Sequence, residues 1–144
     1  MSGQVLGSVL RVNNSQGIEG DNVYLSLAAA VAAAASGDTI HIEGSVTPYT
    51  GDVTVNKKLF LAGPGYFLTN IPETQYNKEA VRINCNITFA AGSEGAILAG
   101  VTHYAGASAY QVNPAASYAG NKVLVQANNI TLVGCKLFYV AIGA

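Results

Sequence analysis

The stretch Ser26–Val46, SLAAAVAAAASGDTIHIEGSV, decides the expected fold. Its first half is rich in alanine, the best helix former, and its apolar residues recur at helical spacing, so it predicts a short helix with one apolar stripe. That stripe consists of Leu27, Ala30, Val31 and Ala34. Ser26 is the expected N-cap, and Gly37 is the expected left-handed residue at the end of the helix.

The second half of the stretch predicts a strand. Thr39–Glu43 alternates apolar and polar residues, which places Ile40 and Ile42 on one face and His41 on the opposite, outward face. A helix this short cannot bury its own apolar stripe. We therefore expect it to pack on an apolar surface that begins at Ile40.

The composition indicates one domain with a sizeable core. The chain has 144 residues, of which 50% are hydrophobic and 10% charged, against about 25% charged in ordinary soluble proteins. Seven basic and eight acidic residues provide neither a basic surface for nucleic acid nor a polybasic membrane patch. No apolar stretch reaches the roughly 18 residues of a membrane span, and none resembles a signal peptide. The low charge permits close association between copies.

A repeated unit follows the first strand: strand, asparagine-bearing turn, strand, glycine turn, strand. Leu59–Gly63 matches Ile130–Gly134 without a gap, and Ile87–Gly92 matches with one extra residue. Short strands joined by turns too brief for crossover helices predict a β-solenoid. Asparagine suits such turns because it tolerates left-handed backbone and can bond its amide to a neighbouring coil. An antiparallel sandwich is the alternative.

The expected domain organisation is a single domain, 1–144. It has an N-terminal strand or arm at 1–22, a capping helix at 23–37, and solenoid coils at 38–144 with loop insertions at about 64–80 and 103–121.

The helix and the segment Gly37–Ile40 resemble the entry of pectin-lyase-like proteins, and Leu59–Gly65 is similar to their next coil. The resemblance covers about residues 23–142. It implies an all-β fold: a single-stranded right-handed parallel β-helix with a short N-terminal capping α-helix. It specifies little chemistry, because such scaffolds carry lyases, hydrolases, tailspikes, adhesins and structural proteins.

Enzymes of that family usually act on acidic polysaccharides through clustered carboxylates, which must converge on one face. The acidic residues here are Glu19, Asp21, Asp38, Glu43, Asp52, Glu73, Glu79 and Glu94. No two of them recur at one position of the matched coils. The only close pair, Glu19 and Asp21, is expected to be solvated. The sequence therefore predicts no catalytic residue, no cofactor and no metal.

Other candidate side chains are expected to be structural or solvated. His103, in a loop beside Tyr104, is expected to be solvated, with binding of a sugar or a partner by this pair as the alternative. Lys57, Lys58 and Arg82 are expected to form a solvated outer face. Asn-X-Ser/Thr triplets begin at Asn13, Asn86 and Asn129, and two of them fall inside the repeat, so they are interpreted as structural. Cys85 and Cys135 form no metal pattern. We expect them to be small buried hydrophobic residues, with a disulfide between them as the alternative.

The two ends of the expected solenoid differ. The helix covers one end, whereas 141–144 follows an apolar strand directly, so either a longer protein continues there or another copy covers it. The N-terminal strand Gln4–Val12 is a candidate cover from a neighbouring copy. The expected assembly interface comprises Val5, Leu6, Val9, Leu10, Tyr104, Tyr110, Tyr118, Phe138, Val140 and Ile142.

These features predict a non-catalytic structural subunit that self-associates into an extracellular fibre, filament or spike, at a cell or virion surface. The expected partners are further copies of the chain, as a homo-oligomer or head-to-tail polymer, with polysaccharide as a further candidate. The alternative is part of a polysaccharide-degrading or glycan-binding protein, including the phage tailspike type.

Overall fold

The computed structural model describes residues 7–15, 17, 20–64, 81–103, 122–137 and 139–143. One helix, α1 (Leu27–Ala33), and thirteen strands lie in these ranges. The strands are β1 (Val9–Val12), β2 (Val23–Tyr24), β3 (Thr39–Ile42), β4 (Tyr49–Thr50), β5 (Val53–Val55), β6 (Phe60–Ala62), β7 (Arg82–Asn84), β8 (Ile87–Phe89), β9 (Ile97–Ala99), β10 (Thr102–His103), β11 (Val123–Val125), β12 (Thr131–Val133) and β13 (Val140–Ile142).

The strands form three separate sheets. The first has the order β12-β9-β6-β3-β1-β2, the second β10-β7-β4, and the third β13-β11-β8-β5. All pairings between these strands are parallel, which excludes the antiparallel sandwich. Hydrogen-bonded neighbours within a sheet, such as β3 and β6, come from well-separated parts of the chain.

One hydrophobic core lies between α1 and the three sheets. The parallel register places equivalent side chains in columns across neighbouring strands. Ile40, Leu61 and Leu98 form such a column in the first sheet, and all three are fully buried. The core is therefore built from columns of similar side chains in each sheet.

The prediction of a single all-β solenoid is wrong for this structure. The strands lie in three separate parallel sheets with a short helix against their core, a parallel α/β-like arrangement rather than one clear β-helix. The physical reason is that apolar alternation identifies strands and their inward faces but does not specify which strands are hydrogen-bonded to each other.

The matching of repeats contains a specific error of this kind. The match between Leu59–Gly63 and Ile130–Gly134 is confirmed, because β6 and β12 lie in the first sheet. The match of Ile87–Gly92 to these two segments is wrong, because β8 belongs to the third sheet. The strand that lies between β6 and β12 in the first sheet is β9. Both segments are short apolar runs before a glycine turn, so the residue pattern alone does not distinguish them.

The helix follows its predicted pattern closely. The side chain of Ser26 accepts a hydrogen bond from the backbone N–H of Ala29 at 3.2 Å, and the whole predicted stripe is buried. The helix ends earlier than expected, with Ala34 as the C-cap in an extended conformation. Gly37 has a positive φ of 97° as expected, but it lies in the turn after the helix.

Lys57 holds the C-terminal end of α1. Its ammonium group donates to the carbonyl oxygens of Val31, Ala32 and Ala34 at 3.0, 3.1 and 2.7 Å. These are carbonyls that the last turn of a helix leaves without intrahelical partners, and a cation is stabilising there. The expectation that Lys57 is merely solvated is therefore wrong, since nothing local in the sequence places it beneath the helix.

Replacing Lys57 with methionine should lower the free energy of unfolding by about 1 to 2 kcal/mol, because three helix carbonyls lose a charged donor. Urea denaturation of the full chain measures this. Lys58→Met is the matched control, because Lys58 is the adjacent lysine and is exposed. Equal losses in the two variants would contradict the assigned role of Lys57.

Candidate functional site

The exposed large apolar side chains that follow β11 lie on β12, at Tyr139 and on β13, which we together call the β12–β13 edge. Val133 is 52% exposed, Tyr139 44%, Val140 39% and Ile142 85%. β12 and β13 are the outermost strands of the first and third sheets. This edge is the candidate functional site.

Val140 occupies a core position that lacks a cover. The register of the third sheet aligns Val53, Ile87, Val123 and Val140 in one column. The first three are no more than 2% exposed, whereas Val140 is 39% exposed. The same side-chain position thus changes from buried to exposed at the last strand.

The neighbouring column shows a larger change. Val55, Phe89, Val125 and Ile142 are aligned, and the exposed fraction goes from zero at Val55 and Phe89 to 85% at Ile142. In the first sheet Leu132 continues the fully buried column of Leu98 but is itself only half-buried. Core columns in two sheets are therefore open at this edge.

The backbone of the edge is open as well. Among the described residues, β12 pairs only with β9, and β13 pairs only with β11. Outermost strands of this kind present unpaired N–H and C=O groups that can bond an added strand. At the opposite end of the sheets, α1 packs against β1, β2, β3 and β5.

The described N-terminal strand is already paired within the chain. β1 lies between β3 and β2. Leu10 is 4% exposed and belongs to the core, whereas Val9 is 56% exposed. Of the predicted interface, the structure brings Val140 and Ile142 together on one strand and places Val9 far along the first sheet from β12. The remaining predicted residues, Val5, Leu6, Tyr104, Tyr110, Tyr118 and Phe138, lie outside the described residues, as does most of both predicted loop insertions.

Most described carboxylates serve the fold. Asp38 accepts from the backbone N–H groups of Ser8 at 2.7 Å and Ala35 at 2.8 Å, tying the N-terminal strand to the end of the helix. Glu94 accepts from the N–H of Gly92 within its own turn. In the described ranges, no three His, Cys, Asp or Glu side chains are grouped so as to hold a metal ion.

Glu43 is the centre of a polar network that the sequence did not reveal. It forms an ion pair with Arg11 and accepts from the amide of Asn13 at 2.5 Å. Its backbone carbonyl and that of Val12 accept from the hydroxyl of Tyr49, at 2.8 and 3.1 Å. Burial raises the pKa of Tyr49 to about 12. The network joins Arg11–Asn13 to the distant segment 43–49 and leaves no carboxylate oxygen of Glu43 without a partner.

The expected bonding of an asparagine side chain between neighbouring strands is observed at Asn86. Its backbone and side-chain N–H groups donate to Asp52 at 2.9 and 3.1 Å. Its side-chain amide oxygen accepts from the backbone N–H of Lys122 at 3.1 Å. These bonds lower the pKa of Asp52, with the backbone N–H of Asn86 as the main cause. Of the three Asn-X-Ser/Thr triplets, Asn13 and Asn86 are thus structurally engaged, while Asn129 is exposed in a turn with a φ of 57°.

The two cysteines are free thiols. Cys85 is 3% exposed, in agreement with its prediction as a buried hydrophobic residue, and burial raises its pKa to about 11. Cys135 is only half-buried and lies beside the β12–β13 edge, with its thiol near the carbonyls of Leu98 and Val133. The disulfide alternative is not what the structure shows.

Cys135 should therefore react with an aromatic disulfide reagent at pH 8 at least tenfold faster than Cys85, because thiolate and access both govern thiol attack. Single variants Cys85→Ala and Cys135→Ala identify which thiol reacts in the folded chain. In urea the two rates should converge. Fast native reaction of the Cys135→Ala variant would contradict the burial of Cys85.

A cleft of about 550 Å³ lies next to α1, lined by Gly20, Asp21, Asn22, Val23, Tyr24 and Ala29. Reciprocal backbone bonds between Gly20 and Val23 close a tight turn, with φ of 48° at Asp21 and 65° at Asn22. Asn and Asp favour such left-handed turn positions. The cleft therefore presents the polar side chains of Asp21 and Asn22 on a fixed turn, with Tyr24 of β2 beside them.

Comparison with known proteins adds no relative to this picture: no family model matches the sequence, and neither the curated proteins nor the solved structures contain a match. In the part of the chain that the structure describes, no helix has the length and apolar character needed to cross a membrane. Function is therefore argued from the geometry of the chain itself.

Proposed function

We propose that the chain is a non-catalytic structural subunit that self-associates through the β12–β13 edge into a fibre, filament or spike. The observation that supports this most directly is the change of burial along the third sheet, where Val140 and Ile142 occupy core columns without a cover. In the proposed assembly, a second copy covers these columns with its own apolar side chains and pairs its open strand edge with this one.

The energetics favour association. Complete burial of one such aliphatic side chain stabilises by about 1.5 to 3 kcal/mol, and several are exposed at this edge. The formal net charge of −1 gives little repulsion between copies. Two copies that meet through the same edge form a closed two-fold pair, so an extended assembly needs a second contact surface.

The outer face of the first sheet is the candidate for that second surface. Val9, Thr39, Phe60, Ile97 and Thr131 are aligned across it. Two apolar side chains of this column are exposed, Val9 by 56% and Phe60 by 41%. The other three are polar or half-buried. Pairing at the edge and lateral contact through this face together generate an open assembly rather than a dimer.

Replacing Ile142 with lysine should weaken self-association at least tenfold, because a charge would then occupy an apolar contact. Sedimentation velocity of the full chain over a wide concentration range measures this, with electron microscopy of the largest species. Val46→Lys is the matched control, since Val46 is 66% exposed but lies between β3 and β4, away from the edge.

A wild-type chain that stays monomeric at high concentration would overturn the proposal. Equal weakening by Ile142→Lys and Val46→Lys would also overturn it, because the association would then depend on general surface hydrophobicity rather than on this edge.

Glycan binding is a second candidate function, favoured by the cleft beside α1. The half-buried ring of Tyr24 offers an apolar face for a sugar ring, and exposed Asp21 and Asn22 offer hydrogen-bonding groups for hydroxyls. The arrangement contains no second carboxylate in the described lining, so it supports binding rather than hydrolysis.

Neutral and acidic oligosaccharides, titrated by calorimetry against the full chain, test this candidate. We expect Tyr24→Ala to abolish any binding that is seen, and Tyr139→Ala, which changes a tyrosine distant in the sheet order, to leave it unchanged. Absence of binding at millimolar sugar, or equal loss in both variants, would remove glycan binding as a function of the cleft.

A further inference from the structure

His103 is a buried imidazole at the last strand of the second sheet. It lies on β10, is 2% exposed, and continues an inward column formed by Tyr49 and Ile83. Its backbone N–H donates to the carbonyl of Lys136 at 2.9 Å, so β10 connects β7 to the segment that precedes β13. The expectation of a solvated loop histidine is therefore wrong.

Neither ring nitrogen of His103 has a hydrogen-bond partner within the described residues. Among the described residues, the only other buried side-chain atom without a partner is Oδ1 of Asn14. The buried polar side chains of Asn13, Asp38, Ser45 and Ser93 do have partners. Tyr49, in the same column, donates its hydroxyl to two carbonyls. A buried unpaired imidazole is costly, so His103 is not explained as a structural hydrogen-bonding residue.

Among the described residues, the strands and segment next to β10 offer no carboxylate for a protonated ring. On the strands and segment packed against β10, the charged or titratable residues are Tyr49, Arg82, Cys85, Cys135 and Lys136. Arg82 and Lys136 both align with Thr102, so they belong to the face opposite the imidazole. The described carboxylate of Asp52, near Tyr49 in the sequence, is hydrogen-bonded to Asn86.

We propose that His103 is an acid-sensitive latch, which holds β10 and the Lys136 segment against the core at neutral pH and releases them in mild acid. A charged imidazole without a carboxylate cannot remain in this apolar column, so the strand must leave it. Release would loosen the β10–β13 region, on which the β12–β13 edge is built. The latch does not depend on self-association, because every group in it belongs to one chain.

Burial lowers the pKa of His103 from its ordinary value of 6.5. Above pH 6.5 the ring is neutral in both the folded and the unfolded chain, and the full stability is present. As the pH falls below 6.5 the unfolded chain takes up a proton that the folded chain does not, so stability is lost until the folded pKa is reached. The lowered pKa of Asp52 acts below pH 3.8, outside this window.

The test is urea unfolding of the full chain between pH 7.5 and 5.0, under conditions where it is monodisperse. The folded-to-unfolded ratio of the wild type should fall about tenfold for each unit by which the pKa is lowered. His103→Leu should remove this pH dependence. His41→Gln, which changes the other histidine, exposed on β3, should retain it.

Two measurements on the wild type keep the proposal testable if His103→Leu does not fold. Nuclear magnetic resonance titration of the imidazole should give His103 a pKa below 6.5, and a value at or above 6.5 would overturn the latch. Hydrogen exchange at pH 5, corrected for intrinsic rates, should show protection lost in β10–β13 and kept in β1–β6. Loss spread evenly over the chain would contradict a local release.

Discussion

The structure depends on the parallel register that aligns inward side chains in columns. Apart from the β1–β2 pair, each strand hydrogen-bonds to one that is two or three strands away in the chain, so a core residue contacts equivalents that are distant in sequence. The register also brings turns close together: a Cβ on Gly63 would lie 2.4 Å from the carbonyl oxygen of Gly100. Glycine is required there because no side chain fits between the two turns.

The core columns are covered at one end of the sheets and exposed at the other. At one end the apolar stripe of α1 covers the core, and the helix is held by Ser26 at its start, Lys57 at its end and Asp38 beyond it. At the other end the columns continue through Val140 and Ile142 into solvent. The short alanine-rich helix that covers the core is thus held by several polar contacts.

Periodic apolar patterns made part of the fold predictable. The helix, its buried stripe, its N-cap and the alternation of Ile40, His41 and Ile42 follow from local spacing and are confirmed. The assignment of strands to sheets did not follow, because it depends on pairing over long sequence separations. Beyond β12, likewise, the structure has a bridge at Lys136 and then β13 at Val140–Ile142, and neither partner follows from local spacing.

The candidate site was predictable only where it consists of apolar residues. Val140 and Ile142 could be proposed from an apolar stretch with no cover, whereas Leu10 could not be told from them, since an apolar residue on a short strand is equally suited to a core or an interface. Lys57, Glu43 and Tyr49 were missed because their partners are distant in sequence and no local motif identifies them.

Two polar residues inside one core column differ in how they are hydrogen-bonded. Tyr49 and His103 share one column of the second sheet, yet the hydroxyl of Tyr49 bonds the carbonyls of Val12 and Glu43, whereas the ring of His103 bonds none of the described residues. Replacing Tyr49 by an apolar residue would remove two hydrogen bonds, whereas stability alone would favour such a replacement at His103. His103 therefore lies where the proposed release in acid would begin, on the strand that is bonded to the segment before β13.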